Sequence, residues 1–141
     1  MTRGEIDRQI TRYRRYIDSN NCEIKKLRRQ LDELSNTQGK LNGSQSRFSD
    51  YLNAQRGVFG RMNSNYRDNR FAVNFSQGML GCLGGREASG AHENISAAIQ
   101  RVKSKSNAID SRIQELNREN RRYWIRIDDL EYERRHLAAK G

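Results

Sequence analysis

The sequence predicts an all-α protein, an elongated antiparallel helical hairpin or coiled coil of three helical segments. Three observations predict it. Pro is absent from the 141 residues, so the commonest helix breaker is missing and long helices are permitted. Apolar residues make up 34% and charged residues 31%, with a mean hydropathy of -1.05. Such a chain buries narrow apolar seams between helices and not a deep core. Finally, the apolar residues of the first and last segments recur at alternating spacings of three and four, the period that winds helices around one another.

The first helix is expected over roughly 4–36. Ile6, Ile10, Tyr13, Ile17, Asn20, Ile24, Leu27, Leu31 and Leu34 fall on one stripe. Small and polar residues from Thr37 to Gly43 then interrupt the pattern and predict a break.

A second helix is expected over roughly 44–77, on the stripe Leu41, Phe48, Leu52, Phe59, Met62, Tyr66 and Val73. Gly57 and Gly60 interrupt it, at about 1 kcal/mol each relative to Ala, so a bend or fraying is expected there. A glycine-rich turn is expected over roughly 78–90, with Gly78, Gly81, Gly84 and Gly85 supplying positive φ for a helical hairpin. Met79, Leu80, Cys82 and Leu83 lie between these glycines. They either cap the end of a bundle or form an apolar tip that docks on a partner.

The third helix is expected over roughly 91–138. Its stripe runs from Ile95 through Ile99, Val102, Ser106, Ile109, Ile113, Leu116, Asn120, Tyr123, Ile127, Leu130 and Arg134 to Leu137. All three segments are taken as one domain, 1–141.

Asn20 and Asn120 sit at seam positions, where a buried Asn costs stability and can set register. Placed opposite each other in an antiparallel pair, they bring Ile17 to Tyr123, Tyr13 to Ile127 and Ile10 to Leu130. On the other side Ile24 meets Leu116, Leu27 meets Ile113, and Leu31 meets Ile109. Glu23 then comes within reach of Arg112, and Arg28 of Asp110.

Charge and motifs bound the function. The net charge is +10. Residues 1–38 carry nine Lys/Arg and six Asp/Glu, residues 39–85 six and two, and residues 86–141 twelve and nine. The excess is spread along the chain, so solvated helix faces are favoured over a phosphate-tracking stripe, and nucleic acid is the less favoured partner. Cys22 and Cys82 have no metal or redox spacing and are expected to be free thiols. His92 and His136 stand alone. No phosphate loop, nucleophile elbow or carboxylate pair is present, and no cofactor or metal is expected. The expectation is a non-enzymatic protein. No apolar stretch approaches a membrane span, and the start MTRGEID has no signal-peptide core.

Trp124 is the single Trp and falls beside Tyr123 at the edge of the seam, a frequent place for an interface anchor. Asp128 follows four residues later.

This layout resembles the small helical WXG-type partner proteins of bacterial type VII secretion, particularly the elongated ones encoded beside LXG toxins. Ser76-Gln77-Gly78, with Phe75 before it, occupies the place of the family's Trp-x-Gly turn. Trp124-Ile-Arg-Ile-Asp128 is similar to the family's export signature of an aromatic followed four residues later by an acid. The resemblance implies a targeting or chaperone-like protein of the bacterial cytoplasm that binds the helical N-terminal region of an LXG toxin, alongside further small helical proteins. It also implies export with that partner by a signal-peptide-independent route. The residues expected to bind the partner are Trp124, Asp128, Phe75, Gly78, Met79, Leu80 and Leu83. The alternative is a coiled-coil nucleic-acid-binding or phage-type structural protein.

Overall fold

The computed structural model describes residues 1–140, with side chains described through Leu137. Three helices make up the fold: α1 (Arg3–Asn65), α2 (Arg70–Leu83) and α3 (Arg86–Lys140). The chain is an all-α helical hairpin. Two compact units are distinguished: unit 1 holds 1–33 and 105–141, and unit 2 holds 34–104.

In unit 1 the first part of α1 lies antiparallel to the last part of α3. A capping box starts α1. Thr2 Oγ1 accepts from the Glu5 amide at 3.2 Å, and Glu5 Oε2 accepts from the Thr2 amide at 3.2 Å. Ile6, Ile10, Ile17, Ile127 and Leu130 form the core cluster, with Tyr13 and Tyr123 packed against it. Ile24, Ile109, Ile113 and Leu116 are also buried. From Ile10 to Ile24 one α1 seam residue per heptad is thus removed from water, each contributing roughly 1.5–3 kcal/mol when fully buried.

Unit 2 contains the hairpin reversal, and here three sequence expectations are corrected. First, α1 does not break at Thr37–Gly43 but continues to Asn65. Leu34, Gln38, Leu41, Gln45, Phe48 and Leu52 are all half-buried and keep the alternating spacing. Gln45 Nε2 donates to Ser96 Oγ of α3 at 3.0 Å. The seam persists with polar residues in it, and without Pro nothing forces the helix to stop. The helix likewise runs through Gly57 and Gly60.

Second, the chain reverses at 66–69, not in the glycine-rich stretch. The Tyr66 amide still bonds to the Met62 carbonyl at 3.1 Å, and the Asn69 amide closes a turn on the Tyr66 carbonyl at 2.9 Å. Asn69 is the N-cap of α2, its Oδ1 accepting from the Ala72 amide at 3.1 Å. From there α2 runs back along α1. Ser76, fully buried, places its hydroxyl 3.0 Å from the Val73 carbonyl and 3.3 Å from Asn63 Oδ1. Phe59 and Phe75 meet edge to face at 6.0 Å. Arg56 Nη2 donates to the Leu83 carbonyl at 3.3 Å.

Third, the glycines do not supply a left-handed turn. Gly78 and Gly81 lie inside α2, and no residue has positive φ among those described. Only Gly84–Gly85 separates α2 from α3. Gly84 has φ −94° and ψ 2°. The constraint is steric at Gly85, where an added Cβ would stand 3.0 Å from the Gly81 carbonyl oxygen and 3.3 Å from that of Cys82. This glycine pair bends the returning arm and does not reverse it.

Candidate functional site

The side chains expected to meet a partner fall in both units. In unit 1 the seam carries a polar layer built on Asn20 and Asn120. Asn20 Nδ2 donates to Asn120 Oδ1 at 3.0 Å and to Glu119 Oε2 at 3.2 Å, while Asn120 Nδ2 donates to Asn21 Oδ1 at 3.0 Å. Asn120 is buried. Ion pairs flank the seam: Asp7–Arg134 at 2.9 Å, Arg14–Glu131 at 3.1 Å and Glu23–Arg112 at 3.2 Å. Hydrogen bonding to Glu23, then to Glu115, raises the Arg112 pKa above its ordinary value. No ion pair joins Arg28 to Asp110. Being partly exposed, these pairs contribute little each, in the range of about 0–1 kcal/mol.

Beside this layer Tyr13, Tyr16 and Tyr123 form an aromatic group, with centroids 5.4 Å apart for Tyr16–Tyr123 and 5.6 Å for Tyr13–Tyr123. Trp124 is 49% exposed, and Asp128 one turn on is exposed. Ile125 and Tyr132 are also exposed and add apolar surface on another flank of α3.

In unit 2 the expected tip residues separate into two sets. Leu80 and Leu83 are half-buried on the side of α2 that carries Ser76. Leu83 lines a cleft of about 490 Å³ with Leu52 and Arg56. Leu83 thus faces α1 across this cleft. Phe75, Met79 and Gly78 lie toward the other flank, with Phe75 and Gly78 exposed and Met79 half-buried. Phe71, which is not among the residues expected to bind a partner, is 78% exposed and stacks on Phe75 at 6.2 Å and 15°. Met62, Tyr66, Phe71, Ala72 and Phe75 surround a shallow depression of about 410 Å³. The signal for it was present in the sequence. Phe71 and Phe75 are one turn apart, and no charged residue occurs from Phe71 to Gly85.

Among the described residues no group of three His, Cys, Asp or Glu is placed to hold a metal ion, and no helix is long and apolar enough to cross a membrane. Both cysteines are free and exposed. Comparison with protein-family models, with curated proteins and with solved structures gives no match.

Proposed function

We propose that this chain is a non-enzymatic interaction protein that binds the helical N-terminal region of an LXG toxin and presents it to a type VII secretion machine. The observation that carries the reading is the placement of apolar side chains. A water-exposed helical hairpin keeps Tyr66, Phe71, Phe75 and Trp124 at its surface, although its seam has buried positions for large residues. Such side chains are the usual anchors of a protein interface. The helical-hairpin layout and Trp124-Ile-Arg-Ile-Asp128 support the secretion context by resemblance. The Phe75–Gly78 segment no longer does, because it lies within α2 and not at a turn. The protein acts in the bacterial cytoplasm, with further small helical proteins as co-partners, and travels with the toxin by a route that needs no signal peptide.

The test is co-expression of the tagged chain with the helical N-terminal region of an LXG toxin encoded beside it. Co-purification in a stoichiometric complex and toxin export that depends on this chain are expected. Trp124→Ala should weaken co-purification or export while leaving the circular-dichroism spectrum unchanged. A chain that forms no complex with the toxin, and whose deletion leaves export intact, sinks the proposal.

A further inference from the structure

The apolar surface of unit 2 has a definite composition. Val58 and Met62 at the end of α1 and Tyr66 at the start of the turn recur every four residues. On α2, Phe71, Phe75 and Met79 do the same. Val58, Tyr66, Phe71 and Phe75 are exposed, and the two methionines are half-buried. The Phe71 and Phe75 rings are stacked, and Phe75 rests against Phe59, so the aromatic ridge is held in place before anything docks. With Met62 and Tyr66 it borders the depression of about 410 Å³. A four-residue repeat on two antiparallel helices forms a groove that accepts the apolar stripe of a third helix. The flexible thioethers of Met62 and Met79 let its floor adapt to the side chains that enter.

The charges that adjoin the groove residues in the chain indicate what fills it: Arg61 precedes Met62, Arg67 follows Tyr66 and Arg70 precedes Phe71. From Tyr51 to Gly85 the charged residues are Arg56, Arg61, Arg67, Asp68 and Arg70. Arg56 is engaged with the Leu83 carbonyl. Arg61, Arg67 and Arg70 are exposed and have no acidic partner among the described residues. A second copy of this chain packed on the same face would bring this arginine set against itself, because a twofold interface presents one patch to the same patch. Like charges brought together oppose that pairing. An occupant with acidic flanks relieves the repulsion and supplies the missing partners.

We propose that the groove formed by Val58, Met62, Tyr66, Phe71, Phe75 and Met79 docks one amphipathic helix of an acidic protein partner, with Arg61, Arg67 and Arg70 reading the carboxylates beside its apolar stripe. The proposal deepens the partner-binding reading and rests on it for biological context, but it can be tested without a toxin. Two designed helical peptides of about 21 residues, or three heptads, share one apolar stripe. One is flanked by Glu and the other by Lys. The protein's three methionines are labelled at the methyl carbon. Met62 and Met79 report on the groove, and Met1, in unit 1, serves as the internal control.

The Glu-flanked peptide is expected to shift the Met62 and Met79 signals saturably and leave Met1 in place. The Lys-flanked peptide should bind at least about tenfold more weakly, the factor that corresponds to ~1.4 kcal/mol. Phe71→Ser together with Phe75→Ser, both at exposed positions, should weaken the Glu-flanked peptide by a similar factor with helicity retained. Equal affinity for the two peptides, shifts confined to Met1, or no loss in the double variant would overturn the proposal. So would a peptide-free dimer that the double variant dissociates, because the second copy would then be the occupant. A toxin complex that forms without moving Met62 or Met79 removes the groove and leaves the proposed function standing. Groove binding by the Glu-flanked peptide with no toxin complex does the reverse.

Discussion

Asn120 is a buried amide in a seam otherwise dominated by isoleucine and leucine, and its neighbours use both ends of it. Its oxygen accepts from Asn20 and its nitrogen donates to Asn21. The amide satisfies its polar atoms only when these positions share a layer, which is how one polar residue can select one register among several of similar apolar content. Asn120→Ala removes both bonds and leaves the Asn20 amide with Glu119 as its one remaining partner in the layer. A loss of about 1–3 kcal/mol is expected, measured by urea unfolding followed at 222 nm. Replacing both Asn20 and Asn120 by Leu removes the polar cost as well, so stability should hold or rise while register selection weakens. Spin labels placed on α1 and α3 within unit 1 should then show a broadened distance distribution. A distribution as narrow as that of the parent would show that the isoleucine stripe alone sets the register.

At the scale of elements, what was legible depended on where apolar periodicity was strong. The stripes of Ile6–Leu34 and Ile95–Leu137 carry β-branched apolar and leucine side chains at most seam positions, and from them the antiparallel Asn20–Asn120 layer follows. The segment from Thr37 to Gly43 misleads because Gln38 and Gln45 occupy seam positions with polar side chains, so hydropathy drops while the helical spacing continues. The position of the reversal is masked in the sequence for a related reason. Glycines attract a turn assignment, yet Gly78 and Gly81 fit a helix with no conformational demand, and the real turn is carried by Asn69 as an N-cap before Phe71-Ala-Val. An Asn ahead of an apolar run was a readable helix start. With the reversal at 66–69, Leu80 and Leu83 share the side of α2 that carries Ser76, whereas Phe75 and Met79 lie toward the other flank. Substitution separates these two kinds of glycine. Gly78→Ala enters open space inside a helix and should stabilise by about 1 kcal/mol, whereas Gly85→Ala meets backbone oxygens and should destabilise by about 1–3 kcal/mol. Thermal melts of the two variants, with shifts of opposite sign, check this. An equal loss at both would restore the glycine-turn reading.

At the scale of the whole molecule, the question is whether a net charge of +10 makes the chain a nucleic-acid binder. Charge alone draws proteins to the phosphate backbone, but the affinity it supplies is modest, with Kd of roughly 10⁻⁴–10⁻⁶ M at physiological salt. Specific binders reach about 10⁻⁸–10⁻¹¹ M by adding contacts to bases or to a deformed backbone. Here the cations are interleaved with acids along α1 and α3, and Asp7, Glu23 and Glu131 already hold Arg134, Arg112 and Arg14. Arg67 and Arg70 flank the turn that leads into Phe71 in the chain, so an ordered phosphate backbone there would have to run beside an apolar surface better suited to a helix. Partner binding through the groove and charge-driven contact with DNA therefore have different signatures. In fluorescence anisotropy with a DNA duplex of about 30 base pairs, the Kd at ~150 mM salt should stay above ~10⁻⁶ M and be indifferent to sequence. Phe71→Ser with Phe75→Ser should leave that value unchanged, since the rings add nothing to a phosphate contact. Nanomolar binding, or strong loss of DNA affinity on removing the two rings, would instead favour a coiled-coil nucleic-acid-binding protein that uses its exposed aromatics as a stacking platform.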